Sequence, residues 1–224
     1  MKKLSHFLKT TEGKFVALIV ALVVLSFAYY FYAMSANGTG SIKEITVTEQ
    51  DHVRGTVGGK VTLVEFGDLQ CPACAAYEPI VRQVTADNAG TLQFVFKHFP
   101  LTQIHPNALL SAKATEAAAL QGKFWEMHDI LYDKQTEWSG TLNARDLMVG
   151  YAGTLGLDTA KFTEDLSNKS IEEKIIAEYR EGVSLGVQGT PTFFVNGKKI
   201  ENPSSVEAFN AIIKEVASQT TVSN

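Results

Sequence analysis

The sequence predicts an α/β domain in which a βαβ half and a ββα half are separated by a block of helices, with one apolar helix ahead of the domain. Three observations carry this expectation. Val61-Thr-Leu-Val-Glu-Phe66 is an apolar, β-branched run that leads into Cys71-Pro72-Ala73-Cys74 and a helical stretch. Near the other end, Asn196-Gly197 sits between two short strand-like runs. At the amino terminus, Phe15–Ala33 reads FVALIVALVVLSFAYYFYA without a charge.

The apolar run comes first. As a helix it spans roughly 28 Å, close to the ~30 Å of a bilayer core. Lys2, Lys3, Lys9 and Lys14 precede it, and no Lys or Arg follows before Lys43. That asymmetry puts the amino terminus in the cytoplasm and the rest outside. Tyr29, Tyr30 and Tyr32 crowd the outer end, where an aromatic belt sits. The expected organisation is a basic cytoplasmic tail over 1–14, a single-pass transmembrane anchor over 15–33, a tether over 34–43 and a folded domain over 44–224. A cleaved signal peptide is the rival reading, because Ala33-Met34-Ser35 loosely resembles a small-x-small cleavage site; the run is, however, longer than a usual signal h-region. A buried core helix is a third reading, opposed by the one-sided lysines and the absence of a polar face. The first two readings both send the domain to an oxidising compartment, the periplasm or the outer face of the cell membrane. The tether MSANGTGS is small and flexible and reaches at most roughly 25–30 Å.

In the domain, the Val61–Phe66 pattern suits a strand buried on both faces. A helix is expected from Pro72 to about Asn88, punctuated by Asn88-Ala-Gly90. LQFVFKHF over Leu92–Phe99 reads as the next strand, and strand–helix–strand implies a parallel pair with a right-handed crossover. From about Pro106 to Leu185 the amphipathic spacing reads as packed helices, with Phe124, Met127, His128 and Leu131 on one stripe. Pro191–Val195 returns to strand, and Asn196-Gly197 followed by Lys198–Ile200 signals a hairpin. A last helix is expected over about Pro203–Ala217, with the proline near its start. This order is a thioredoxin-type fold with a helical insertion at about 103–186.

Composition narrows the function. The 224 residues carry a net charge of -4 and an apolar fraction of 45%, which leaves no basic surface for nucleic acid. The two cysteines both lie in the Cys71–Cys74 motif. A disulfide closing so short a loop removes little unfolded-state entropy and is a poor staple. A zinc site needs further ligands, and neither a second Cys pair nor a spaced His pair exists among His6, His52, His98, His105 and His128, so no metal or other cofactor is expected. Redox chemistry remains. In C-x-x-C at a helix start, the first sulfur lies near free backbone N–H groups and the positive end of the helix dipole, which favour the thiolate. Cys71 is the expected attacking sulfur and Cys74, one turn inward, the resolving one. Pro72 fits the first helical turn, where its missing N–H is not needed. Thr190-Pro191 enters a strand, where a proline marks an edge or a special backbone turn; a plain loop proline is the alternative.

FGDLQCPAC together with GVQGTPTFFVNG resembles the DsbA-like thiol–disulfide oxidoreductases, and more narrowly their membrane-anchored bacterial branch. KHFPLTQIHPNALLSAKATEAAALQGKFWEMHDILYDKQ is similar to that branch's connector and first insertion helices. The likeness covers about Lys60–Ala217. It implies a cis Thr190–Pro191 bond beside the redox pair, with its neighbouring backbone holding a bound peptide as an added strand. It also implies that Glu65, Glu78 and Lys97 tune the thiolate and relay protons. A Glu65–Lys97 pair kept for structure alone is the bland alternative. Ala73 departs from the family, whose best-known member has His there, and supplies no charge or hydrogen bond to Cys71. Asp68 and Gln70 are polar where some relatives have aromatic residues, which bears on the substrate surface. The implied function is oxidation of cysteine pairs in exported proteins, with a quinone-linked membrane partner restoring the disulfide. A reductase or isomerase kept reduced by a membrane electron donor, and a peptide-binding chaperone module, are the alternatives.

Overall fold

The computed structural model describes residues 11–36, 45 and 47–220. The chain divides into two units, Met1–Lys43 and Glu44–Asn224. In the first, α1 (Thr11–Ala36) is a continuous helix. Lys14–Tyr32 within it is long and apolar enough to cross a membrane. Met34–Ala36 continue the helix rather than beginning the tether, because no helix breaker precedes Asn37. Tail residues 1–10 and tether residues 37–43 lie outside the described residues.

The second unit is built on five strands. β1 (His52–Gly55), β2 (Val61–Gly67), β3 (Leu92–His98), β4 (Thr192–Val195) and β5 (Lys198–Lys199) lie in the order β1-β3-β2-β4-β5. β2 and β3 are parallel and joined by α2 (Pro72–Asp87). The other pairings are antiparallel. β1 was not expected. HVRG shows no apolar alternation, and it is an edge strand held by β3 on one side only. The β4–β5 turn puts Asn196 and Gly197 at φ 46° and 78°, the geometry an Asn-Gly hairpin requires.

The helical block resolves into α3 (Ala108–Ala119), α4 (Phe124–Asp133), α5 (Gln135–Trp138), α6 (Ala144–Thr154), α7 (Thr159–Asp165) and α8 (Lys169–Ser184). The helix α9 (Val206–Thr220) starts later than Pro203 suggested. Ser205 sets the start, since its Oγ accepts from the Ala208 N–H at 3.2 Å as an N-cap does.

Strand alternation divides the interior in two. Leu63, Phe94, Phe96 and Phe193 face α2, α9 and the insertion in the larger core. Val64, Phe66, Val95 and Phe194 face the other way and meet Phe99 and Val187. On that side α8 comes close at Gly182, where a Cβ would lie 2.7 Å from Phe99 Cδ2 and 2.9 Å from Phe66 Cδ1. Both cysteines belong to the larger core, at the carboxyl end of β2.

Candidate active site

β2 ends at Gly67, and four residues later Cys71 is the N-cap of α2, with φ -73° and ψ 122°. Pro72 opens the helix without wasting an N–H. The loop between them is fixed from beneath. Asp68 is buried and accepts from the Gln70 N–H (2.8 Å) and the Leu101 N–H (3.0 Å), and it meets His105 Nδ1 at 2.7 Å. Gln70, also buried, donates to the Ser139 carbonyl and accepts from the Asn107 N–H, both at 2.6 Å. Gln135 Nε2 donates to the carbonyls of Leu69 (2.8 Å) and Cys71 (3.0 Å). Asp68 and Gln70 therefore tie the motif to the insertion rather than contributing to a substrate surface. No sequence signal distinguished the two roles, because a polar loop residue serves either.

The two sulfurs are in the dithiol form. Cys71 is 7% exposed and Cys74 only 1%, so the order of access is set by burial. A hydrogen bond from the Cys74 thiol, opposed by burial and aided by Thr190 and the backbone N–H groups of Cys74 and Ala73, brings the Cys71 thiol down from 9.0 to about 5. The Cys74 thiol, one turn inward, thus supplies the hydrogen bond that the Ala73 side chain cannot. Cys74 moves the other way: burial first, then Cys71 and the charge of Glu65, push its thiol well up.

The Thr190–Pro191 bond is cis. The Cys71 thiol donates to the Thr190 carbonyl with 3.4 Å between sulfur and oxygen. The Thr190 hydroxyl is buried without an oxygen or nitrogen partner, which leaves its proton free to turn to the sulfur once Cys71 ionises.

Glu65 lies on the cysteine side of β2 and is 2% exposed. Burial, then Glu78 and Cys71, raise its carboxyl well above the carboxylate range. No ion pair among the described residues involves it. The expected company of Lys97 is absent. Lys97 pairs in register with Phe66, one residue beyond the Glu65–Phe96 pair, so alternation sends its side chain to the opposite face. There it binds Asp51 (2.7 Å) and Glu181 (3.0 Å), and it belongs neither to a Glu65–Lys97 pair nor to a charge network with Glu65 and Glu78. The cations beside Glu78 are instead Arg54 from β1 and Arg82 from α2, each 3.2 Å from its Oε1. Glu78, His128 and Asp129 gather within 4.8 Å of one another, a set that could hold a cation, and the cation there is the Arg54 guanidinium.

His98 and His105 touch neither sulfur. His105 holds Asp68, while His98 Nε2 joins a buried hub at Glu116, whose Oε1 lies 2.9 Å from His52 Nε2, 3.1 Å from His98 Nε2 and 2.6 Å from Lys174 Nζ.

A thioredoxin family model matches residues 47–215, which include every residue of this site. The chain belongs to the thioredoxin family. Its domain shares the fold of the DsbA-type oxidoreductases. It superposes on α-DsbA1 of Wolbachia pipientis with a TM-score of 0.71, at 18% identity, over 80% of this chain and 96% of that one. BdbD of Bacillus subtilis gives 0.65 at 23% identity, over 75% and 93%. In sequence, a Na(+)/H(+) antiporter NhaA 1 of Salinispora arenicola is 44% identical over 166 residues, and the NhaA antiporter of Herminiimonas arsenicoxydans 32% identical over 166. Each match covers 74% of this chain, which spans about a quarter of the length of those relatives (24% and 25%).

Proposed function

We propose that this thioredoxin-family domain is a membrane-anchored, extracytoplasmic thiol–disulfide oxidoreductase that passes its Cys71–Cys74 disulfide to cysteine pairs of exported proteins. The observation that carries this is the opposed environment of the two sulfurs: Cys71 favoured as thiolate at a helix start beside Thr190-Pro191, Cys74 buried as thiol. A substrate thiolate attacks Cys71 Sγ. The Cys71–Cys74 bond breaks and its electron pair goes to Cys74, which takes a proton from the Glu65 carboxyl. A second substrate thiolate then forms the substrate disulfide and expels Cys71 as thiolate, and Glu65 regains its proton from water. The backbone at Thr190-Pro191 holds the substrate as an added strand. A quinone-linked membrane partner restores the disulfide.

Magnitude supports the oxidising direction. At pH 7 a thiol at about 5 rather than 9.0 favours the reduced form by about a hundredfold. For a two-electron couple that is about 60 mV toward an oxidant. This supports the oxidase over a reductase, which has to give its electrons away and for which a stable reduced form is a handicap.

In Cys74→Ala the resolving thiol is gone, so Cys71–substrate intermediates formed from substrate disulfides or oxidised Cys71 are expected to persist. Non-reducing gels of acid-quenched cells should show reducible high-mass adducts, absent from Cys71→Ala/Cys74→Ala. Their absence from Cys74→Ala would assign the domain to peptide binding without exchange. For the anchor, the full chain should sediment with membranes and keep its amino terminus. A soluble product beginning near Ala36 would make α1 a signal peptide instead.

A further inference from the structure

The buried carboxyls Glu65 and Glu78 have unlike surroundings, although both are almost fully enclosed at 2% and 3% exposure. Glu65 sits among the apolar residues of β2 with the cysteines ahead of it. Glu78 is gripped by two guanidinium groups. Arg54 is itself held from several sides. Its second nitrogen meets Asp129 Oδ1, and its guanidinium carbon lies 4.3 Å above the centre of the Trp125 ring. Trp125 Nε1 in turn donates to the Val53 carbonyl at 2.9 Å, pinning α4 to β1 beside Arg54. Asp129 is kept as an anion: burial opposes it, but His128 and Arg54 bring it down to about 2. Two carboxyls in one interior with environments this different divide the roles of acid and fixed charge between them.

Resting on the redox reading above, we propose that Arg54 is a positioning residue of the exchange reaction: by fixing the negative charge of the carboxyl pair on Glu78, it leaves the exchangeable proton on Glu65, beside Cys74. Arg54 thus acts through Glu78 and never touches a sulfur. The other charged or titratable groups around the pair are Arg82 on α2 and Asp129, His128 and Tyr132 on α4. Arg82 is 42% exposed in its side chain and is the looser clamp. With Arg54 removed, Glu78 competes for the proton, and the thiolate leaving at Cys74 finds its donor less often protonated.

The test is a double-mutant cycle on the full chain, with Arg54→Met, Glu78→Gln and their combination, plus Arg54→Lys as the charge-keeping variant. The readout is the rate at which dithiothreitol reduces the Cys71–Cys74 disulfide, followed against pH, with urea unfolding as a parallel measurement. Arg54→Met is expected to slow reduction about tenfold at neutral pH, a part of the 10²–10⁴ that a well-placed acid supplies, and Arg54→Lys to restore most of it. Glu78→Gln removes the like charge beside Glu65 and should move the Glu65-dependent inflection to lower pH by about 1. In the Glu78→Gln background, Arg54→Met should then change neither rate nor inflection. An Arg54→Met effect of equal size with and without Glu78, or a loss of stability with rate and inflection unmoved, overturns the proposal. If the unchanged protein is not reduced by dithiothreitol at a measurable rate, the redox reading fails with it; if it is reduced and the cycle is flat, only the role of Arg54 fails.

Discussion

Cys71 is expected to be alkylated about 10²-fold faster than an ordinary thiol at pH 5. Lowering the thiol from 9.0 to about 5 raises the thiolate fraction at that pH by between three and four powers of ten. Intrinsic nucleophilicity falls with basicity at a slope of about 0.4–0.5, which takes back somewhat less than two of them. Ionisation wins over the loss of basicity, and the surplus is the expected effect. The advantage shrinks as the comparison thiol itself ionises, so it should vanish near about pH 7 and then reverse. The measurement is iodoacetamide labelling of the reduced parent protein from about pH 4 to 10, since the Cys74 thiol is the main support of the Cys71 thiolate, with Cys71→Ala as partner for Cys74. Cys71 should follow a half-titration near 5, while buried Cys74 stays unreactive through neutral pH. Faster labelling of Cys74 at pH 7 would reverse the assignment of attacking and resolving sulfurs.

Glu116→Gln is expected to give the largest loss of stability outside the redox pair. One carboxylate oxygen there serves His52 on β1, His98 on β3 and Lys174 on α8, so the hub joins the edge strand, the sheet and the insertion. Removing one partner of a buried ion network leaves the others uncompensated and costs about 3–5 kcal/mol. For a domain of this size that is about 10 °C in Tm. Burial works against ionisation, yet His52, His98 and Lys174 hold the Glu116 carboxyl far below the ordinary range. A carboxyl lowered by folding stabilises above its unfolded value of about 4.3, and that stabilisation fades as pH falls toward the folded value. The gap between parent and variant in urea unfolding should therefore be full at pH 7 and visibly smaller at pH 3. A gap independent of pH would mean that Glu116 packs rather than pairs.

Much of the fold and of the redox motif is legible in the sequence. The β-branched run, the Cys-Pro-Ala-Cys helix start and the Asn-Gly turn are local signals, and each produced the element expected. What escaped depends on register. Whether Lys97 faces Glu65 or turns away depends on which β3 residue lies beside Glu65, and the answer, Phe96, reverses the side on which the lysine stands. β1 escaped because an edge strand needs one neighbour and few apolar side chains. His52 stacks on Phe124 at 3.5 Å and Arg54 lies over Trp125, contacts across long stretches of chain that no window of sequence displays. With β1 unseen, no local signal places Arg54 beside Glu78. The insertion's grip on the cysteine loop through Gln70, Asn107 and Gln135 was hidden for the same reason.

The place of β1 also governs how the domain can be cut free of its apolar helix. A fragment starting at Val61 keeps every element that the sequence advertises. It would nevertheless strip β3, whose seven residues are all buried, of its outer neighbour. An apolar strand with a bare row of backbone donors and acceptors is a template for pairing with another chain. Such a fragment should self-associate, whereas one beginning ahead of Ile45 keeps that edge covered and stays dispersed.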